Sequence, residues 1–196
     1  MTTTIGLTGS IGMGKSSTAK LFAQEGCPVW DADAAVHRLY AKGGAAVAPM
    51  AEVFPDAIID GSVSRDVLKD YIAQSPFALK RIEAIVHPLV AQDRADFLAR
   101  HPDDIVVLDV PLLFETGANE QMDYVVVVSI DEGTQRNRVM ERGTMTTAQF
   151  EAIREKQTPD IDKRAGADYI ILTTTPSHAL QQVQEVLEDI RNKLNA

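Results

Sequence analysis

The chain has 196 residues, 45% of them hydrophobic, and a formal net charge of −9. That charge argues against a nucleic-acid binder, which usually carries a basic stripe, and no apolar run reaches membrane-spanning length. A single cysteine, Cys27, excludes an intrachain disulfide and fits a reducing compartment, and the opening Met1-Thr2-Thr3-Thr4 lacks the basic start of a signal peptide, so the cytoplasm is the expected location.

The first element is a short apolar strand over residues 4–8, and it runs directly into Gly9-Ser10-Ile11-Gly12-Met13-Gly14-Lys15-Ser16. This is a complete G-x-x-x-x-G-K-[ST] phosphate loop placed between a strand and a helix. Successive backbone N–H groups of such a turn point at one spot, and the helix N-terminus adds partial positive charge there. Lys15 is expected to reach the β- and γ-phosphates of a nucleotide, and Ser16 to ligate Mg²⁺. The segment from Ser17 reads as a helix stopped by Gly26.

A second strand over residues 28–31 holds Cys27 at its start as a small buried hydrophobe and ends on Asp31-Ala32-Asp33. Either aspartate suits a kinase, accepting a hydroxyl proton or holding Mg²⁺ through water. The competing role is a helix cap, with Asp33 preceding a helix over residues 34–42. Trp30 reads more readily as core than as pocket lining.

Residues 60–100 look helical. Asp60-Gly61 marks a turn, Ser64 caps a helix, and Ser75-Pro76 offers a cap with proline at the first position of the next helix. His87 precedes Pro88, which is expected to interrupt that helix. No cysteine or histidine partner stands at zinc-binding spacing from His87.

A third strand over residues 105–110 contains Asp109, a carboxylate where phosphate-loop proteins support Mg²⁺; a plain strand-end aspartate is the alternative. Further strands cover residues 124–130 and 169–173. Between them lies a helical stretch with Arg136, Arg138 and Arg142; Arg138 and Arg142 share a face and suit a lid closing on a triphosphate, though a solvated basic face is an ordinary alternative. Gly143 ends one helix there, Thr146 to Gln149 form a capping box for the next, and Pro159 breaks the run. A terminal amphipathic helix follows over residues 177–194.

Apolar runs alternating with amphipathic ones indicate an α/β fold: a five-stranded parallel sheet with helices on both faces, interrupted by two helical insertions, the first placed to grip a second substrate. The expected division is a nucleotide-binding core over 1–60, 101–130 and 167–196, a substrate insertion over 61–100 and a lid over 131–166. Ligands of such sheets bind at the carboxyl ends of the strands.

The residues that carry a family resemblance are the strand and loop through Ser16, Asp31-Ala32-Asp33, His87-Pro88, Asp109-Val110-Pro111-Leu112-Leu113-Phe114-Glu115 and Ala167-Asp168. Together they make the chain similar to the dephospho-CoA kinases. The resemblance implies a P-loop nucleotide-kinase-like fold with a core, a helical substrate (CoA-binding) insertion and a helical lid, and ATP- and Mg²⁺-dependent phosphorylation of the ribose 3′-hydroxyl of dephospho-CoA; composition adds the expectation of no nucleic-acid or membrane partner, and oligomeric state is left open. It implies Asp33 as general base and Gly12, Met13, Gly14, Lys15, Ser16 and Ser17 as the ATP-binding stretch, which the phosphate-loop motif itself extends back through Gly9, Ser10 and Ile11. It also implies lid contacts from Arg138 and Arg142 and acceptor contacts from Asp33, His87, Leu113 and Phe114, while the metal called for by the loop is expected near Ser16, Asp31 and Asp109. Lys15 and Arg142 join Asp33 in the catalytic set. Where the family often has Asn then Gly after the last strand, this chain has Thr173-Thr174-Thr175-Pro176, and its lid differs around Gly143-Thr144-Met145. Two other readings share the loop: a kinase of another small alcohol (nucleoside, nucleoside monophosphate or shikimate-like), and a nucleotide-binding switch. A GTPase switch would carry an Asn-Lys-x-Asp segment, which is absent.

Overall fold

The computed structural model describes residues 2–196. The chain forms two compact units, one running up to Trp30 and resuming with His101–Ala196, the other comprising Asp31–Arg100. The helical unit therefore begins at Asp31, ahead of the expected 61.

The first unit opens with β1 (Thr3–Thr8), the phosphate loop and α1 (Lys15–Gln24). Gly26, at φ 89°, closes α1: the Gly26 N–H donates to the Ala23 carbonyl and the Cys27 N–H to the Phe22 carbonyl, each at 3.1 Å. That pair of bonds satisfies two orphan carbonyls and turns the chain toward β2 (Val29–Asp31). Cys27 and Trp30 are both buried, as expected of core residues. Burial pushes the Cys27 thiol above its ordinary pKa, against a smaller opposing pull from Arg191.

The second unit holds α2 (Ala32–Tyr40), α3 (Val47–Val53), a hairpin of β3 (Ile58–Ile59) and β4 (Ser62–Val63), α4 (Arg65–Gln74) and α5 (Ala78–Ala99). The Asp60-Gly61 turn has φ of 51° and 79°, the left-handed pair that a two-residue hairpin requires. Ser64 caps α4, accepting from the Val67 N–H. Two expectations fail here. Ser75 and Pro76 lie in a turn before α5, whose N-cap is Phe77, and Pro88 does not interrupt α5. The ring removes one donor, but α5 buries Ala78, Ile82 and Val86 in a core with Leu39, Met50, Phe54 and Leu68. Burial of Ile82 and Val86 contributes about 1.5–3 kcal/mol each, enough to outweigh one lost backbone bond.

The first unit resumes with β5 (Ile105–Asp109), β6 (Tyr124–Ser129), α6 (Glu132–Glu141), α7 (Thr147–Lys156), α8 (Asp160–Ala165), β7 (Tyr169–Leu172) and α9 (Pro176–Leu194). The expected capping box at Thr146 and Gln149 is formed, Gly143 follows α6 at φ 64°, and α8 starts after Pro159. The strands make one parallel sheet in the order β2-β5-β1-β6-β7. Ile5, Leu7, Val107, Val126, Val128 and Ile171 are buried against Phe22 of α1 and Val183, Leu187 and Ile190 of α9. The register aligns Leu7 with Asp109 and with Val126, and Ser129 with Leu172, so the strand ends that carry the phosphate loop, Asp109 and Thr173 fall along one rim of the sheet.

Candidate active site

The phosphate loop leaves β1 at Thr8 and enters α1 through Gly14, whose φ is 99°. Gly12 is also left-handed, at φ 80°, and a Cβ there would stand 2.5 Å from Val139 Cγ2 of α6. Both positions need glycine, one for the turn into the helix and the other for the close approach of α6. The N-cap Gly14 supplies no side-chain acceptor to the first turn of α1. The leading N–H groups of that turn are thus available to an anion, as a phosphate site needs.

Lys15 forms an ion pair with Asp109 at the end of β5. Asp109 is 2% exposed and Lys15 16% exposed, so the ammonium is held at the loop by a desolvated carboxylate. Ser16 and Ser17 are exposed on the first turn of α1. Among the described residues no group of three His, Cys, Asp or Glu side chains could hold a metal ion. Ser16 in the first turn of α1 and Asp109, paired with Lys15, both bring oxygen atoms to the loop.

Thr173, just beyond β7, is a residue that sequence reasoning noted only as a departure. Its hydroxyl donates to the Met13 carbonyl at 2.7 Å and accepts from Arg138 Nη1 at 2.9 Å, while its carbonyl accepts from Arg138 Nη2 at 2.6 Å. Arg138 is therefore fastened to the last strand. A cavity of about 300 Å³ lies beside it, lined by Gly12, Gly14, Thr18, Leu21, Arg138 and Arg142 among others. Its size suits the nucleoside end of a nucleotide whose phosphates occupy the loop. Arg142, the C-cap of α6, is exposed on this cavity.

Asp31 and Asp33 belong to the other unit. Asp31 is the N-cap of α2, its Oδ1 accepting from the Ala34 N–H at 2.9 Å. The expectation that Asp33 caps a helix beginning at residue 34 is corrected: α2 starts two residues earlier, and Asp33 lies in its first turn, exposed. The Asp33 carboxylate is thus released from capping. His87 is exposed on α5. Leu113, expected beside the acceptor, is wholly buried with Val125 and Val127, so its side chain fills core; Phe114 is partly buried against the same cluster.

Glu115 and Lys163 were missed. Lys163 of α8 is wholly buried, with Nζ 3.0 Å from Glu115 Oε1, and the same oxygen accepts from the Thr158 N–H at 2.7 Å. Burial pushes the Glu115 carboxyl up, but its own backbone N–H, the Lys163 ammonium and the Thr158 N–H outweigh it and hold the pKa below the ordinary value. A depressed carboxylate contributes stability that is present above its unfolded pKa, about 4.3, and lost as pH falls through the lower folded value. Urea midpoints measured from pH 5 downward should therefore fall more steeply for the native protein than for Glu115→Gln. Parallel curves would remove this acid dependence from Glu115.

The loop, the Lys15–Asp109 pair and the cavity at Arg138 make one nucleotide-shaped site in the first unit. The family model for dephospho-CoA kinase (CoaE) matches residues 3–178. The chain belongs to the dephospho-CoA kinase family. It is 62% identical over 191 residues to the dephospho-CoA kinase of Ruegeria pomeroyi, covering 97% of both chains. A crystal structure of a Thermus thermophilus protein, TT1252, is 30% identical with a TM-score of 0.83, covering 95% of this chain and 96% of that one. The dephospho-CoA kinase of Campylobacter jejuni, 22% identical, shares the fold at a TM-score of 0.72 with full coverage of both chains. In this member of the dephospho-CoA kinase family, Thr173 ties Arg138 to the loop through the Met13 carbonyl. Thr173→Val keeps the shape and deletes the hydroxyl. It should cost about 1–2 kcal/mol in denaturant unfolding and raise the KM for ATP several-fold, with the KM for dephospho-CoA unmoved. An unchanged KM for ATP would leave Thr173 with a packing role alone.

Proposed function

We propose that this chain transfers the γ-phosphoryl group of ATP to the ribose 3′-hydroxyl of dephospho-CoA, giving coenzyme A and ADP, the last step of coenzyme A synthesis. The observation that carries the reading is the full-length family match laid on a phosphate loop whose lysine is already held by Asp109. The single, buried Cys27 fits a cytoplasmic setting, and among the described residues no helix is long and apolar enough to cross a membrane.

Phosphoryl transfer asks little covalent chemistry of the protein; positioning and charge stabilisation do most of it. Backbone N–H groups of the loop and the start of α1 cradle the phosphates. Lys15 neutralises charge on the transferred group, exchanging Asp109 for phosphate oxygens. Asp33 orients the acceptor hydroxyl and takes its proton. Arg142 and Arg138 border the nucleotide cavity; Arg142, which has the freer position, closes over the phosphates and excludes water, while Arg138 braces the wall with Thr173. His87 and Phe114 contribute to acceptor binding.

Ser16 and Asp109 fit Mg²⁺, which takes hard oxygen donors and binds through one or two carboxylates together with substrate phosphates. Bound there, the ion would offset charge on the bridging oxygens. Asp31 is committed to its cap and is left out of this set.

A coupled assay of ADP release with ATP, Mg²⁺ and a panel of alcohols tests the reading. Prompt release with dephospho-CoA, and only slow release with nucleosides, nucleoside monophosphates or shikimate, is expected. Equal turnover of another alcohol would replace the substrate assignment, and slow release independent of any acceptor would favour a nucleotide switch.

A further inference from the structure

We propose that Gln135 and Gln157 form a donor–acceptor clamp on the Ile11 backbone, and that this clamp sets the phosphate loop for ATP. Gln157 Oε1 accepts from the Ile11 N–H at 3.1 Å, and Gln135 Nε2 donates to the Ile11 carbonyl at 2.7 Å. A residue has one backbone donor and one backbone acceptor, and at Ile11 both are taken by side chains from outside the loop. The chemistry fixes each amide's orientation: an N–H can meet only the glutamine oxygen, and a carbonyl only the glutamine nitrogen.

The two glutamines are themselves held. Gln135 is 2% exposed on α6, the helix that also carries Arg138 and touches Gly12 through Val139. Gln157 is the C-cap of α7, and its own N–H donates to the Arg154 carbonyl at 3.1 Å. The next residue, Thr158, is anchored through its N–H to Glu115, which pairs with the buried Lys163. A continuous chain therefore runs from the Ile11 N–H through Gln157 and Thr158 to Glu115, the last residue of the block that begins at Asp109. The loop takes its shape from this frame as well as from its own turn, in which the Met13 N–H donates to the Ser10 carbonyl at 3.1 Å. Neutral amides suit the task, because a carboxylate there without a cation partner such as Lys15 gives Asp109 would repel the triphosphate. Small displacements matter at such a site: a shift of about 1 Å in a reacting group can cost on the order of 10²-fold in rate. Gln135 and Gln157 are positioning residues that act through Ile11.

The clamp rests on the proposed ATP-dependent reaction, and its test pairs two isosteric substitutions in the full chain. Gln157→Glu adds a negative charge but keeps an oxygen facing the Ile11 N–H. Gln135→Glu adds the same charge and sets an oxygen against the Ile11 carbonyl. The clamp predicts that kcat/KM for ATP falls at least tenfold further in Gln135→Glu than in Gln157→Glu. The KM for dephospho-CoA should stay within threefold of native in both. Equal losses would assign the effect to charge alone and overturn the clamp, as would a matched rise in both KM values. Hydrogen exchange supplies a readout independent of activity: the Ile11 amide should exchange at least tenfold faster in Gln157→Met than in the native chain. Unchanged exchange would overturn the clamp even if the activity reading stood. Lack of turnover with dephospho-CoA would sink the activity reading while exchange still judged the clamp.

Discussion

Asp33→Asn should lower kcat by about 10²–10⁴-fold while the Kd for ATP stays within a few-fold of native, the pattern expected when a proton acceptor is removed from the transition state alone. Two carboxylates two positions apart, Asp31 and Asp33, compete for this role, and their local structure separates them. Asp31 gives its Oδ1 to the Ala34 N–H and holds the start of α2. Asp33 is exposed in the first turn without that duty. The neighbours should therefore fail differently. Asp31→Ala loses the cap and should cost about 1 kcal/mol in stability. Asp33→Asn keeps shape and hydrogen-bonding reach but cannot take a proton from the acceptor hydroxyl. Steady-state kinetics with both substrates, calorimetric ATP binding and thermal melts on the two variants check this. An Asp33→Asn enzyme that keeps a tenth or more of native kcat would move the base elsewhere. A melt lowered as much as that of Asp31→Ala would show that the substitution had disturbed the helix.

The phosphate loop, the five strands and the capping box at Thr146 were legible because each is a local pattern. A glycine-rich turn between strand and helix, buried runs of valine and isoleucine, and Thr-x-x-Gln all report their structure within a few residues. What was misread depended on distant partners. Asp31-Ala32-Asp33 offers two acceptable caps, and local propensity does not choose between them; α2 takes the first. Pro88 ordinarily breaks a helix, yet α5 runs through it because its apolar face is buried by α2, α3 and α4 in the second unit. Lys163 sits among charged residues in the sequence and reads as solvated; Glu115, far along the chain, makes it a buried cation. Gln135 and Gln157 are ordinary polar residues until the fold brings both to Ile11. The site's chemistry was thus written in motifs, while the frame that holds those motifs was written in single residues that no spacing rule connects.

Lys15 offers the other large effect, and it divides into a stability part and a catalytic part. Asp109 is nearly fully buried and Lys15 is its ammonium partner. Removing one member of a desolvated ion pair typically costs about 3–5 kcal/mol, because the remaining charge keeps its burial and loses its counterion. Lys15→Met should therefore lower the unfolding free energy by roughly that amount, discounted for the partial exposure of the lysine. It should also lower kcat/KM for ATP by about 10²–10³-fold or more, the scale set by deleting one preorganised group that meets developing charge. Lys15→Arg separates the two parts. Its charge can still meet Asp109, so much of the lost stability should return. Its planar fork is a poor substitute for a compact ammonium within a tight loop, so activity should stay low. Denaturant unfolding of all three proteins, read beside kinetics at saturating dephospho-CoA, tests the division. Activity restored in step with stability would mean that the pair matters for folding alone. Activity lost in Lys15→Arg from a fully stable protein would place the ammonium on the phosphates during transfer, with Asp109 as the site that holds it between turnovers.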